Sequence, residues 1–180
     1  MKARTLFILL ITMLVLAGCT KGPSPNLCPT VCDGLVAYYP FYGDATDKSG
    51  NGQDGKVVGA SLTKDRNGYQ NHAYSFDGVD DSIMVPDSPS LGLTGDISIG
   101  VWVKPSATQK QYADILSKHY HGAYTIEQHT TNTNQFAFNW DTTGSGGWAG
   151  CDTVTTALTV NVWQHFAISK SGATVTHYLN

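Results

Sequence analysis

DISIGVWVKP, residues 96–105, decides the fold class of this 180-residue chain. Ile97, Ile99, Val101 and Val103 alternate with Ser98, Gly100, Trp102 and Lys104. A period of two places the four β-branched residues on one face of an extended strand. Pro105 ends the segment, because it has no N–H to give to a ladder. Phe136, Phe138 and Trp140 repeat the alternation, and Val175 and Leu179 do so around His177.

Outward from that strand, β-branched and aromatic segments recur at 35–41, 55–60, 73–76, 82–85, 97–103, 112–117, 124–129, 135–141, 153–159, 163–169 and 174–179. Turn residues separate them: Gly43-Asp44, Ser49-Gly50-Asn51-Gly52, Asn67-Gly68, Asp77-Gly78 and Ser171-Gly172. Only residues 109–114 leave room for a helical turn. Eleven short strands within residues 34–180 predict an all-β fold, a two-sheet antiparallel sandwich of jelly-roll type. Composition agrees. The chain has 19 Gly and 14% charged residues, and Glu127 is its single Glu beside 13 Asp, which disfavours helical bundles and coiled coils.

The N-terminus reads differently. Lys2 and Arg4 precede twelve apolar residues, 6–17 (LFILLITMLVLA), a run shorter than the roughly 20 needed to span a bilayer. Residues 1–18 therefore read as a secretory leader. Leu16-Ala17-Gly18-Cys19 resembles the bacterial lipoprotein lipobox, which implies lipidation of Cys19 and an anchor in the cell envelope. Residues 19–33, rich in Pro and small polar residues, form a tether, and 34–180 form the domain. Loss of Lys2 and Arg4 takes the net charge from −3 to −5, which argues against nucleic acid as a partner. With Cys19 lipidated, Cys28, Cys32 and Cys151 remain. Cys28–Cys32 is the most local disulfide, and Cys151 is an alternative partner.

The residues of the domain carry a family resemblance. GLVAYYPF (34–41), GD (43–44), DKSGNG (47–52) and DG (54–55) open it. AYSFDGVDD (73–81), DISIGVWVKP (96–105), ILSK (115–118) and WQHFA (163–167) continue it. Together they resemble a LamG-like jelly-roll domain of the concanavalin A-like lectin/glucanase superfamily. The resemblance implies a fold and no particular ligand. In that family a further hairpin follows a strand such as 174–179, and a final strand pairs near the first. The expectation is thus a sandwich lacking its last strands, with the 35–41 edge uncovered.

Several patterns bear on chemistry. Residues 47–52 match the opening of an EF-hand loop, but position twelve is Val58 where a bidentate acid is required. Asp44, Asp47, Asn51 and Asp77 could still hold one Ca²⁺, with Asx and Gly turns as the alternative. The superfamily's glucanases carry Glu-x-Asp-x-Glu on one strand, and a chain whose only Glu is Glu127 cannot form it. His119-x-His121, near Asp114 and His129, has no firm third metal ligand. No Gly-x-Ser-x-Gly elbow and no phosphate-binding loop occur. For binding, Trp148 lies between Gly-Ser-Gly-Gly and Ala-Gly, where an exposed indole could stack on a sugar or a partner. Trp140, Tyr120 and Tyr124 could extend that platform. Trp102 falls on the polar register of its strand and could line the other sheet face. The function expected is a non-catalytic module for a glycan or a surface protein. A targeting domain of a carbohydrate-active enzyme and an adhesion protein are the alternatives.

Overall fold

The computed structural model describes residues 13–16, 34–107, 109, 111–118, 124–128, 134–141, 150–153 and 157–180, with 13–16 and 150–153 as backbone. Their order is β1 (Met13–Leu16), β2 (Leu35–Tyr39), β3 (Lys56–Val58), β4 (Ser61–Thr63), β5 (Ala73–Ser75), β6 (Ser82–Met84) and β7 (Ile97–Val103). It continues with β8 (Asp114–Lys118), β9 (Tyr124–Gln128), β10 (Phe136–Trp140), β11 (Gly150–Thr153), β12 (Gln164–Ser171) and β13 (Thr174–Leu179). Among the described residues the helical content is one 3-10 turn at Pro89–Leu91.

One sheet has the order β13-β12-β7-β1-β2 and a second has β11-β10-β9-β8, while β3–β6 and β4–β5 form two small ribbons. All pairings are antiparallel. The inner face of β7 is Ile97, Ile99, Val101 and Val103, none more than 3% exposed, so the alternation in the sequence becomes the core face. Phe166 and Ile168 of β12 join them. Tyr124 and Ile126 of β9 and Phe136 and Phe138 of β10 belong to the same buried cluster. Two sheets sharing one core in this way make a β-sandwich.

Differences from the sequence expectation have local causes. The strand expected from 112 begins at Asp114, because Tyr112 takes φ +64° and its N–H turns to the Gln128 carbonyl at 2.7 Å. β11 starts at Gly150 and not at 153, in register with β10 from Gly150↔Trp140 to Ala137↔Thr153. β4 is only three residues long, too short for a period to show, and exists through its pairing with β5. β9 is buried on both faces: Glu127 accepts from the Asn139 side-chain amide at 2.8 Å, and the Thr125 hydroxyl lies 3.0 Å from Asp114 Oδ1.

The largest difference is β1. Met13–Leu16, expected within the leader, pairs with β2 on one side and β7 on the other. The 35–41 edge is therefore covered on that side.

Candidate functional site

The other edge of β2 is covered by the loop that follows it. Asp47, 7% exposed, accepts from the backbone N–H of Tyr38 (2.9 Å), Ser49 (2.8 Å) and Gln53 (3.0 Å) and from the Ser49 hydroxyl (2.7 Å). Lys48 N–H donates to the Tyr38 carbonyl at 2.8 Å, and the Asn51 amide donates to the carbonyls of Leu35 (2.8 Å) and Val36 (2.9 Å). A strand edge that would otherwise invite pairing is thereby satisfied.

Beyond β2 the chain turns sharply. Phe41 has φ +56°, a left-handed conformation that costs a bulky residue about 1–3 kcal/mol. Its ring goes into the core, 5.2 Å from Tyr74 in a T-shaped contact. The next residue, Tyr42, is left 60% exposed. Gly43 N–H holds the turn by donating to the carbonyls of Phe41 (2.9 Å) and Asn71 (2.8 Å).

Asn71 belongs to the loop joining β4 and β5, which supplies the next wall. Asp65 Oδ1 accepts from the N–H groups of Asn67 (2.8 Å) and Tyr69 (2.9 Å) and so fixes the loop tip. The loop carries Arg66, Asn67, Tyr69 and His72. His72 packs between Tyr42 (ring centroids 4.6 Å) and Tyr69 (5.7 Å), and Tyr69 is 62% exposed.

The floor is the outer face of β7. The Arg66 guanidinium lies 4.4 Å from the centroid of the Trp102 ring, and the His165 ring lies 5.2 Å from it. Gly100 gives the His165 ring its room, since a Cβ there would stand 3.2 Å from His165 Nε2. Burial, and secondly the charge of Arg66, hold His165 below the ordinary imidazole range, which favours its neutral form.

These elements enclose an open cleft of about 270 Å³. It is lined by the rings of Tyr42, Tyr69, His72 and Trp102 beside a guanidinium, an amide and a carboxylate. That combination suits a ligand with apolar C–H faces and many hydroxyls. Trp102 was legible as a residue of the outer face. Tyr42, Tyr69 and His72 were not, because a turn at positive φ and a three-residue strand bring them together.

Of the four residues expected to bind, Tyr124 and Trp140 are described, and both take other places. Tyr124 is 3% exposed, lies in the core, and burial pushes its hydroxyl above the usual tyrosine range. Trp140 is half-buried against Phe138 at 5.8 Å, with Lys170 Nζ 5.8 Å from its ring centroid. Trp148 and Tyr120 lie outside the described residues, as do Cys19, Cys28, Cys32, His119, His121 and His129. Cys151 is in β11.

Asp44, Asp47, Asn51 and Asp77, which could hold one Ca²⁺ or form Asx and Gly turns, make the following contacts. Asp47 uses both oxygens for the four hydrogen bonds above. Asp44 accepts from Thr46 N–H at 2.9 Å, which holds its carboxyl below the usual range. Asp77 groups instead with Asp80 and Asp81, one oxygen of each within 4.8 Å. There Asp77 accepts from Val79 N–H (2.7 Å), and Asp81 accepts from Asp77 N–H (2.7 Å). Both carboxylates act as caps of their own turn.

Residues 77–180 match the family model described as the concanavalin A-like lectin/glucanases superfamily, more than half of the chain. Curated proteins and solved structures give no match.

Proposed function

The chain belongs to the concanavalin A-like lectin/glucanase superfamily, and from that premise we propose a non-catalytic binding module whose outer-face cleft holds a glycan. Domains of this family commonly act as binding modules. The observation that carries the reading is the row Tyr42–His72–Tyr69 standing beside Trp102, with Arg66 and Asn67 on the same loop. Stacking on such faces supplies affinity with little ordering cost, because aromatic side chains have few rotamers. The polar groups at the rim supply hydroxyl recognition. Most of the cleft comes from residues before 77, outside the matched span, so its ligand preference belongs to this chain more than to the family.

Attachment through a lipidated Cys19 would place the cleft at the bacterial envelope, beyond the tether of residues 19–33. No hydrolytic role is part of the proposal: Glu127 is the single Glu, and it is engaged by Asn139 in a buried position. A protein ligand is the second reading, because exposed tyrosines are also favoured anchors at protein interfaces.

A glycan array probed with the full chain tests the class of ligand. We expect saturable retention of at least one glycan, with the retained sugar unchanged in mass. Cleavage of the sugar would contradict a non-catalytic module. Failure to retain any glycan would move the assignment to a protein ligand.

A further inference from the structure

The cleft holds one permanent cation among groups that are neutral or already engaged. Of the described residues that line it, Arg66 is the one Lys or Arg and Asp65 the one carboxylate. Asp65 is committed to its own loop: Oδ1 accepts from Asn67 N–H at 2.8 Å and from Tyr69 N–H at 2.9 Å. Two such bonds disperse the charge that this carboxylate could set against Arg66 or a ligand. His165, 5.2 Å from Trp102, is held toward its neutral form and adds no second cation at pH 7.

Arg66 is held in place and still has donors to offer. Its guanidinium stands over the Trp102 ring, 4.4 Å from the centroid, and this cation–π contact fixes where the charge sits. The backbone beneath it is closed as well: Asp65 N–H donates to the Tyr69 carbonyl and Gly68 N–H to the Asp65 carbonyl, each at 3.1 Å. Among the described residues the one ion pair joins Lys118 to Asp87, and no acceptor takes a hydrogen bond from Arg66. A guanidinium carries five N–H donors and keeps its charge throughout the working pH range. A planar carboxylate matches that fork with two parallel bonds. Because the fork is already positioned, little ordering opposes the match. The wider balance limits the ligand to few charges. The chain has a net charge of −3, which repels a polyanion, and the cleft offers a single fork.

We propose that the glycan held in the cleft carries one carboxylate on an otherwise neutral chain of sugars, and that Arg66 receives it. This rests on the binding reading above and narrows it. The rings of Tyr42 and Tyr69 take the C–H faces that acidic and neutral sugars share. Arg66 selects the acid, as the specificity residue of the cleft.

An array of single-carboxylate glycans, some carrying a uronic acid and some a sialic acid, tests it. Each is printed twice, as the acid and after reduction of the carboxyl to the primary alcohol. The full 180-residue chain should hold at least one acid form about tenfold or more tightly than its reduced twin, equivalent to about 1.4 kcal/mol. Arg66→Lys keeps the charge and loses the planar fork, and Arg66→Gln loses both. Arg66 is exposed, so both variants should melt with the parent chain. Each should lose most of the preference for the acid while binding the reduced form as before. A residue that only shaped the loop would weaken both forms together, so the ratio separates selection from a structural role. Equal retention of acid and reduced forms would overturn the inference and leave glycan binding standing. An acid preference that survives in both variants would place the carboxylate elsewhere and overturn it too. Stronger retention of a sulfated glycan than of any carboxylate would overturn the choice of anion. Retention of no glycan would remove the binding reading, and this inference with it.

Discussion

Asp47 shows how a single carboxylate serves the fold through oxygens that could equally hold a cation. DKSGNG is legible as a tight acidic loop, and both cation binding and turn capping use the same oxygens. What decides between them is where the donors of β2 and the loop converge, which depends on the tertiary structure. The four bonds that Asp47 accepts satisfy two segments at once. Asp47→Ala leaves those N–H groups without their acceptor in a mostly buried place. It should lower the free energy of unfolding by about 3 kcal/mol or more, since hydrogen bonds to charged groups are worth about 1.5–3 kcal/mol each. Urea unfolding of the full chain checks this, and a loss below about 1 kcal/mol would show that the loop does not depend on the carboxylate. Trp102 is the contrasting case. Its place on the outer face follows from the period of two, because neighbours on a strand must face opposite ways.

At the scale of elements, strands with a clear period were readable nearly to the residue. Ile97–Val103 and Thr174–Leu179 fall where the alternation puts them. Short strands were not readable. β4 has three residues and no pattern of its own, so the hairpin that builds the cleft became visible only with its partner β5 in place. β1 was unreadable as a strand for the opposite reason: MLVL lies within a uniformly apolar run, where periodicity cannot separate a strand from a leader. Its role leads to a prediction for the domain alone. Residues 34–180 lack β1, so the inner edge of β2 has no partner and invites pairing with other chains. That fragment should melt without cooperativity or aggregate during heating, as followed by calorimetry and light scattering. A cooperative melt of a monomer would show that β2 holds its place unaided.

The whole molecule joins a legible scaffold to a site that was only partly legible. The sandwich follows from alternation, turn residues and the scarcity of Glu. The cleft follows from where three separate segments meet: the turn after β2, the β4–β5 loop and the outer face of β7. Of these, sequence pattern marked the first two only as turns, at Gly43-Asp44 and Asn67-Gly68, and the last as a sheet face. The buried cores of the two sheets fix the floor, the positive φ at Phe41 turns Tyr42 outward, and the capped loop at Asp65 holds Tyr69 beside His72. The central claim is that this aromatic cleft binds a sugar. Calorimetric titration of the full chain with a glycan it retains, compared with the Tyr42→Ala/Tyr69→Ala double variant at matched melting temperature, tests it most directly. The cleft account predicts at least about tenfold weaker binding in the variant, the effect of losing about 1.4 kcal/mol of stacking. Equal affinity in the two proteins would contradict it and place the sugar elsewhere on the molecule.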